Sequence, residues 1–444
     1  MLKHTMKKKS SGLIIAAPAS GNGKTIITLG LIRALKNNGH VVAPAKVGPD
    51  YIDPSYLAAA ADMPCLNLDL WAMRLETIAG HCFSLSKAAP LIICEGVMGL
   101  FDGTCNGKNS TADLSATTGW PVILVVDVKG QAASAAAVIR GFANHRDDFN
   151  LCGVIFNRVG GTKHRQSISN AMKETLPSIP ILGFVPKTVS MQLAERHLGL
   201  MHASETGQML EFLSAASELI ANSVDLGTLA NLAQETRIKM REKKSALAPL
   251  GQHIAVARDA AFAFLYDALL QDWRNQNAEL SFFSPLANER PSSHADAIYL
   301  PGGYPELYAE QLASNRDFHA GLQSAASKAF VYGECGGFMV LGKSIIDGCG
   351  KGHHMSGLLP LESSFADPKL HLGYREVKSC SDTPLGSVGK RFRGHEFHYS
   401  TAITLDPDIG KLFACTDSAQ KTLGSSGLIS NNVAGSFIHL VDEA

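Results

Sequence analysis

The stretch "GLIIAAPASGNGKTIITLGLIRAL", Gly12 to Leu35, constrains the fold more than any other part of the chain. An unbroken apolar run is followed by a glycine-rich turn and then by apolar residues at helical spacing, the order of a buried strand, a phosphate-cradling loop and a helix. Backbone N–H groups of such a loop face phosphate oxygens, and the helix N-terminus adds its dipole. Against G-x-x-x-x-G-K-[ST], Pro18 occupies the first glycine position, whereas Gly23, Lys24 and Thr25 fit and Gly21 and Asn22 complete the turn. Lys24 is placed to reach the outer phosphates of a nucleoside triphosphate, and Thr25 to ligate its Mg²⁺.

The same alternation continues: "LIICEG", "PVILVVD", "CGVIFNRV" and "IPILGFVP" are short aliphatic runs separated by amphipathic stretches such as "QSISNAMKETL". Unbroken apolar strands between helices predict a parallel sheet covered on both faces. The pattern fades near residue 220, and a polar stretch carrying "RIKMREKK" follows. A second alternation, "HIAVARD", "ELSFFSP", "AIYLPGG", "FVYGEC", then gives way to a more β-like region from about His354 to Ser400. A chain of 444 residues exceeds what one core usually serves. The division expected is a P-loop domain over 10–221, a linker over 222–250 and a second α/β domain over 251–444.

Lysine plus arginine equals aspartate plus glutamate at 40 each, which implies no general attraction to nucleic acid or to a membrane surface. Apolar runs fall well short of the ~20 residues a membrane helix needs. The opening "KKKSSGLIIAAPAS" mimics a secretory leader, but its apolar core, Leu13 to Ala17, is too short for one. Nine cysteines without a C-x-x-C pair argue for reduced thiols in a cytosolic enzyme.

Two acidic segments lie at strand ends of the first domain, "KVGPDYIDP" after the second strand and "ICEGVMGLFDG" after the third. Ligands bind at the carboxyl edge of such sheets. Asp50 and Glu95 are therefore expected to complete a Mg²⁺ site with Thr25, since Mg²⁺ takes one or two carboxylates plus phosphate oxygens. Asp53 and Asp102 are further candidates, with turn and helix-cap chemistry the competing account.

In the second domain "AFVYGECGGFMVLG" places Cys335 where a strand stops and glycines begin. A nucleophile on such a strand-to-helix elbow stands at the sheet edge, and the helix N-terminus favours its thiolate. Gly302 and Gly303, ending "AIYLPGG", and Gly336 are the candidate oxyanion donors, with the N–H groups of Gly303 and Gly336 preferred. His395, His398 and His439 are candidate bases. The remaining cysteines read as buried, inert thiols.

"GECGG", "LPGGYPEL" and a late histidine in "GSFIHL" resemble the glutamine amidotransferase domains of the cobyrinic and cobyric acid synthases. With "APASGNGKT", "KVGPDYIDPSY", "EGVMGLFDG" and "RGHEFHYS", the chain resembles the a,c-diamide synthases of cobalamin biosynthesis from about Ser11 to Val441. The resemblance implies a dethiobiotin-synthetase-like P-loop domain and a class I glutamine amidotransferase domain. It implies ATP and Mg²⁺ as cofactors, and L-glutamine and a corrinoid carboxylic acid as substrates. Cys335, activated by His439, is implied to release ammonia from glutamine, and the P-loop domain to phosphorylate corrinoid carboxylates that ammonia then amidates. Asp50 with Tyr51 and Ile52, Glu95 and Asp102 match the family's nucleotide and corrinoid segments, which implies Asp50, Tyr51, Ile52 and Asp102 on the substrate side. "PLGQHIAVARDAAFAFLY" and "GSFIHLVD" resemble the branch acting on hydrogenobyrinic acid; cobalt-bearing cobyrinic acid or another tetrapyrrole is the alternative. Related glutaminases carry a glutamate two residues after the late histidine, where this chain has Val441, so Glu443 or a backbone carbonyl is left to orient His439. A P-loop switch protein that binds a partner is the rival from another class, and oligomeric state, a homodimer included, is left open.

Overall fold

A computed structural model of the chain describes residues 10–187, 195–196, 199–200, 209–239 and 246–444. Among these, no helix is long and apolar enough to cross a membrane. Two compact units are formed, one from the described residues up to Leu70 and from Ile78 to Lys239, the other from Trp71–Thr77 and everything from Ala246 onward.

The first unit is a doubly wound α/β sheet. Its strands are β1 (Ser11–Ala16), β2 (Val42–Val47), β3 (Leu66–Leu68), β4 (Leu91–Glu95), β5 (Val122–Asp127), β6 (Leu151–Val159) and β7 (Ile181–Pro186). They run parallel in the order β3-β2-β4-β1-β5-β6-β7. The aliphatic runs form the strands because their side chains are buried on both faces, as a parallel sheet between helical layers demands. Helix α1 (Lys24–Asn37) leaves β1, and the strand order reverses there, β4 lying on one side and β5 on the other. Ligand crevices open at such a switch point. The run read as the third strand is β4, because the short edge strand β3 precedes it.

The stretch 222–250 is ordered further than its polar composition suggests. A short helix, Leu226–Asn231, is capped by Asp225, whose carboxylate accepts the Thr228 N–H, and Gln234–Glu235 pairs antiparallel with Ser11 and Gly12 of β1. Residues 240–245 of that stretch lie outside the described residues.

In the second unit a ten-stranded sheet begins with four parallel strands: Glu279–Phe283, His253–Ala257, Ala297–Leu300 and Phe330–Glu334. Val433–Ser436 joins parallel to the last of these, and antiparallel strands then complete the sheet, ending with Arg391–His398 beside Ile438–Glu443. A four-stranded sheet from Ser344–Ile346, Gly352–His354, Leu361–Ser364 and Thr401–Thr404 accounts for much of the β-like region expected after His354. The C-terminal strand is therefore what delivers His439 to the sheet that carries Cys335.

Candidate active sites

In the first unit the loop between β1 and α1 needs glycine at two points. Gly21 and Gly23 take φ of 79° and 83°, and a Cβ at Gly23 would collide with the Asn157 side chain. No residue from Ala16 to Ser20 has positive φ, so Pro18 is tolerated at the first motif position. Asn22 pins the loop, its Oδ1 accepting the Asp127 N–H at 3.0 Å and its carbonyl accepting Asn157 Nδ2 at 2.8 Å.

Glu95, fully buried at the end of β4, is the hub of this site. Its Oε1 accepts from Lys24 Nζ at 2.9 Å, from Thr25 Oγ1 at 2.7 Å and from Lys46 Nζ at 3.2 Å. Glu95 Oε2 is buried with no hydrogen-bond partner among the described residues. A buried carboxylate oxygen beside the Thr25 hydroxyl is a donor set suited to Mg²⁺, which prefers hard oxygen ligands. Thr25 and Glu95 are the residues that would hold it.

Asp50 joins this group through Lys46, whose Nζ lies 3.7 Å from Asp50 Oδ2. The other carboxylate oxygen of Asp50 caps helix α2 (Asp53–Ala61), accepting the Ile52 N–H at 2.8 Å and the Asp53 N–H at 3.1 Å. Asp53 pairs with Lys46. Burial, then the Asp50 charge, raises the Asp53 carboxyl above its usual range. Tyr51 and Ile52 are buried in the same turn. Asp102 is a turn residue, its Oδ2 accepting the Gly99 N–H at 2.8 Å; a Cβ at Gly99 would meet the Pro18 carbonyl at 2.5 Å, which puts that turn against the phosphate loop.

Lys46 is the functional candidate that sequence reasoning missed. It is 1% exposed among Asp53, Glu95 and Asp50. Its charge survives burial because those carboxylates outweigh the desolvation and hold its pKa well above the usual value. The signal was present: a lysine inside the otherwise apolar strand "VAPAKV" must be paired if it is buried.

In the second unit Cys335 caps the helix Gly336–Leu341 with φ 48° and ψ −108°, a strained conformation for a residue with a side chain. Neighbouring bonds over-determine it: the Cys335 N–H donates to the Ser436 carbonyl at 2.8 Å, and its carbonyl accepts the Met339 N–H at 3.0 Å. A Cβ at Gly302 would collide with His439 Cε1, and would lie 3.2 Å from Nε2 and 3.3 Å from Cys335 Cβ. Gly302, Cys335 and His439 thus form one cluster that only a glycine at 302 permits. A Cβ at Gly336 would stand 3.0 Å from the Gly303 N, so the two expected oxyanion donors share one corner. Cys335 Sγ lies 3.7 Å from the Phe397 carbonyl.

Burial pushes the Cys335 thiol up, so in this resting structure desolvation outweighs the helix N-terminus expected to favour thiolate. Burial, then His395 and His398, pushes His439 down to about 3. Both shifts favour a neutral imidazole and a neutral thiol in this pair at rest.

Glu443 does not orient His439, because Lys390 Nζ holds its Oε1 at 2.6 Å and Arg74 Nη1 lies 3.6 Å from its Oε2. A carboxylate near the ring is Glu334, with Oε2 3.8 Å from His439 Nδ1, and the Glu396 charge acts on the imidazole as well. His395 sits opposite His439 in the strand register, and burial pushes it down to about 4. His398 Nε2 lies 3.1 Å from Glu396 Oε1 and its Nδ1 3.1 Å from the Ser400 carbonyl, both oxygens that can only accept.

A P-loop sheet and an elbow-cysteine sheet in one chain define a class, the glutamine-dependent amidating ligases. The CobQ/CobB/MinD/ParA nucleotide binding domain matches residues 13–200, and the CobB/CobQ-like glutamine amidotransferase domain matches residues 253–444. Hydrogenobyrinate a,c-diamide synthase of Rhizobium meliloti is 47% identical over 437 residues, covering 97% of this chain and 99% of that protein. The enzyme of the same name from Rhodobacter capsulatus is 43% identical over 443 residues, covering 98% of this chain and all of that protein. The chain belongs to the hydrogenobyrinate a,c-diamide synthase family.

Proposed function

We propose that the protein amidates the a and c side-chain carboxylates of hydrogenobyrinic acid in cobalamin biosynthesis, using ATP and glutamine. The observation that carries this reading is the packing of Cys335 and His439 against Gly302 in a chain whose first unit gathers Lys24, Thr25 and Glu95 at a phosphate loop. The substrate follows the name shared by relatives that match over almost the whole chain.

His439 accepts the Cys335 thiol proton, and Sγ attacks the amide carbon of glutamine. N–H groups of Gly303 and Gly336 receive the oxyanion. The C–N bond breaks, ammonia departs with the proton from His439, and water hydrolyses the thioester to glutamate. In the first unit Lys24 and the loop N–H groups bind the ATP phosphates, and Thr25 and Glu95 would hold Mg²⁺. When bound, Mg²⁺ would supply neutralisation of the phosphate charge. Lys46 then stands ready to steady the charge of the acyl phosphate, and Asp50, Tyr51, Ile52 and Asp102 line the corrinoid side. Ammonia displaces phosphate to give the amide. The enzyme works in the cytoplasm, without nucleic acid or membrane; size-exclusion chromatography tests whether it does so as a homodimer.

Purified protein given ATP, Mg²⁺ and glutamine with hydrogenobyrinate, with cobyrinate or with another tetrapyrrole acid, followed by mass analysis, tests the reading. Two added amides on hydrogenobyrinate are expected. Preference for the cobalt-bearing acid would move the protein to the other branch. Cys335→Ala should form the same product when ammonium replaces glutamine, and its inertness with ammonium would overturn the division of labour.

A further inference from the structure

The strand Phe330–Glu334 delivers two reactive side chains in succession, Glu334 and Cys335, and only the second has a role in the scheme above. Glu334 is buried, a costly place for a carboxylate unless its oxygens are satisfied. Its Oε1 accepts the Leu440 N–H at 3.2 Å, and its Oε2 accepts the Tyr299 hydroxyl at 2.8 Å. Leu440 follows His439 directly, so the same carboxylate grips the histidine's own strand. Oε2 also stands 3.8 Å from His439 Nδ1. That separation is longer than a hydrogen bond but within ion-pair range, and catalytic contacts of this kind commonly tighten only in the reacting complex.

We propose that Glu334 is the positioning residue of the glutaminase site, supplying from the position before the nucleophile the carboxylate that orients His439. The proposal rests on the glutaminase reading. A carboxylate at Nδ1 favours the tautomer with its proton there, which leaves Nε2, on the Gly302 side, to take the thiol proton. When Nε2 accepts that proton, the imidazolium forms 3.8 Å from Glu334, and the buried negative charge stabilises it. The proton then leaves from Nε2 with ammonia, and Glu334 neither gains nor loses one. The groups facing Glu334 are the hydroxyls of Tyr299 and Tyr332 and the His439 imidazole, and its charge also acts on the Cys335 thiol. Burial raises the Glu334 carboxyl to about 7, so it loses its charge as the pH falls below neutrality.

The test compares Glu334→Gln with the unaltered enzyme and with Cys335→Ala. Glutamine in place of glutamate keeps an acceptor for the Leu440 N–H and turns an N–H₂ toward the Tyr299 hydroxyl, which can accept, while removing the charge. Expected is a fall in glutamine-dependent kcat on the order of 10²-fold with KM for glutamine unchanged. Ammonium-dependent amidation stays at its original rate, and the acid limb of kcat/KM near neutral pH disappears. Tyr299→Phe removes one donor from the carboxylate and keeps its charge; it should retain kcat and move the acid limb to higher pH. A Glu334→Gln enzyme with unaltered kcat and pH profile, while Cys335→Ala is dead with glutamine, overturns this proposal alone. A Cys335→Ala enzyme that still uses glutamine overturns the glutaminase reading beneath it.

Discussion

The Arg74 guanidinium closes on the Asp442 carboxylate, with Nε at 3.0 Å and Nη2 at 2.6 Å from Oδ1. The Arg74 N–H reaches Oδ2 at 2.8 Å, and the Thr77 hydroxyl reaches it at 2.5 Å. All three residues belong to the second unit, although Arg74 and Thr77 precede Asp442 by more than three hundred positions. Asp442 is fully buried, so its charge depends on these donors. Arg74→Ala should destabilise the second unit by about 2–4 kcal/mol, since the donors that remain, the Arg74 and Glu443 N–H groups and the Thr77 hydroxyl, compensate only in part for a lost charged partner. Urea unfolding measures it. Arg74→Lys, which keeps charge and loses the fork, should recover part of the loss. An unaltered midpoint for Arg74→Ala would mean the pair contributes nothing.

Lys24→Ala removes a phosphate ligand without touching ammonia supply. Amidation should fall by about 10²- to 10³-fold with glutamine and with ammonium alike, the loss expected for one preorganised charge at a reacting centre. Glutamine hydrolysis, read as glutamate released, should persist. Rescue of Lys24→Ala by ammonium would place Lys24 in the wrong half-reaction.

Legibility in the sequence followed hydrophobic burial. The runs that became β1, β4 and β5 are apolar because both sheet faces are covered, and they could be read directly. Cys335 was legible because its elbow demands glycines on either side of a strand end. Pairing that depends on backbone alone left no such trace: Gln234–Glu235 is exposed, and its contribution is two register positions beside β1. Trp71–Thr77 could not be placed, because its partners lie hundreds of residues away and no local pattern encodes them. Lys46 and Glu334 share one overlooked cue. Each is a single charged residue in an otherwise apolar strand, and such a residue, if buried, must be paired.

Lys46→Met tests that cue in the first unit. Losing the cation leaves Asp53 and Glu95 buried near Asp50 without it, a cost on the order of 3–5 kcal/mol. The carboxyls respond by holding protons to higher pH than they do unfolded, so the folded state binds more protons and stability falls as pH rises. The variant should therefore lose more stability at pH ~8 than at pH ~5 in urea titrations. A pH-independent loss would argue that Lys46 acts by packing alone.

Histidines of the second unit set the acid limit. His439 is held down to about 3 and His395 to about 4, both chiefly by burial, against an unfolded value of 6.5. Between those limits the unfolded chain binds protons that the folded one refuses, so stability is lost as the pH falls below 6.5. Glu334 works in the opposite sense: raised to about 7 from 4.5, it makes stability decline as the pH rises through that interval. Two histidines against one glutamate leave acid destabilisation dominant. Removing one imidazole should flatten the curve, so His395→Asn should lose about 2 kcal/mol less than the unaltered protein between pH ~6.5 and ~4.5. His439→Asn should show the same flattening and also abolish glutamine hydrolysis, which separates the shared consequence of burial from the one that belongs to His439. Parallel stability curves for all three proteins would show that these imidazoles charge freely in the fold, and a histidine that charges freely could not remain the neutral base that Cys335 requires.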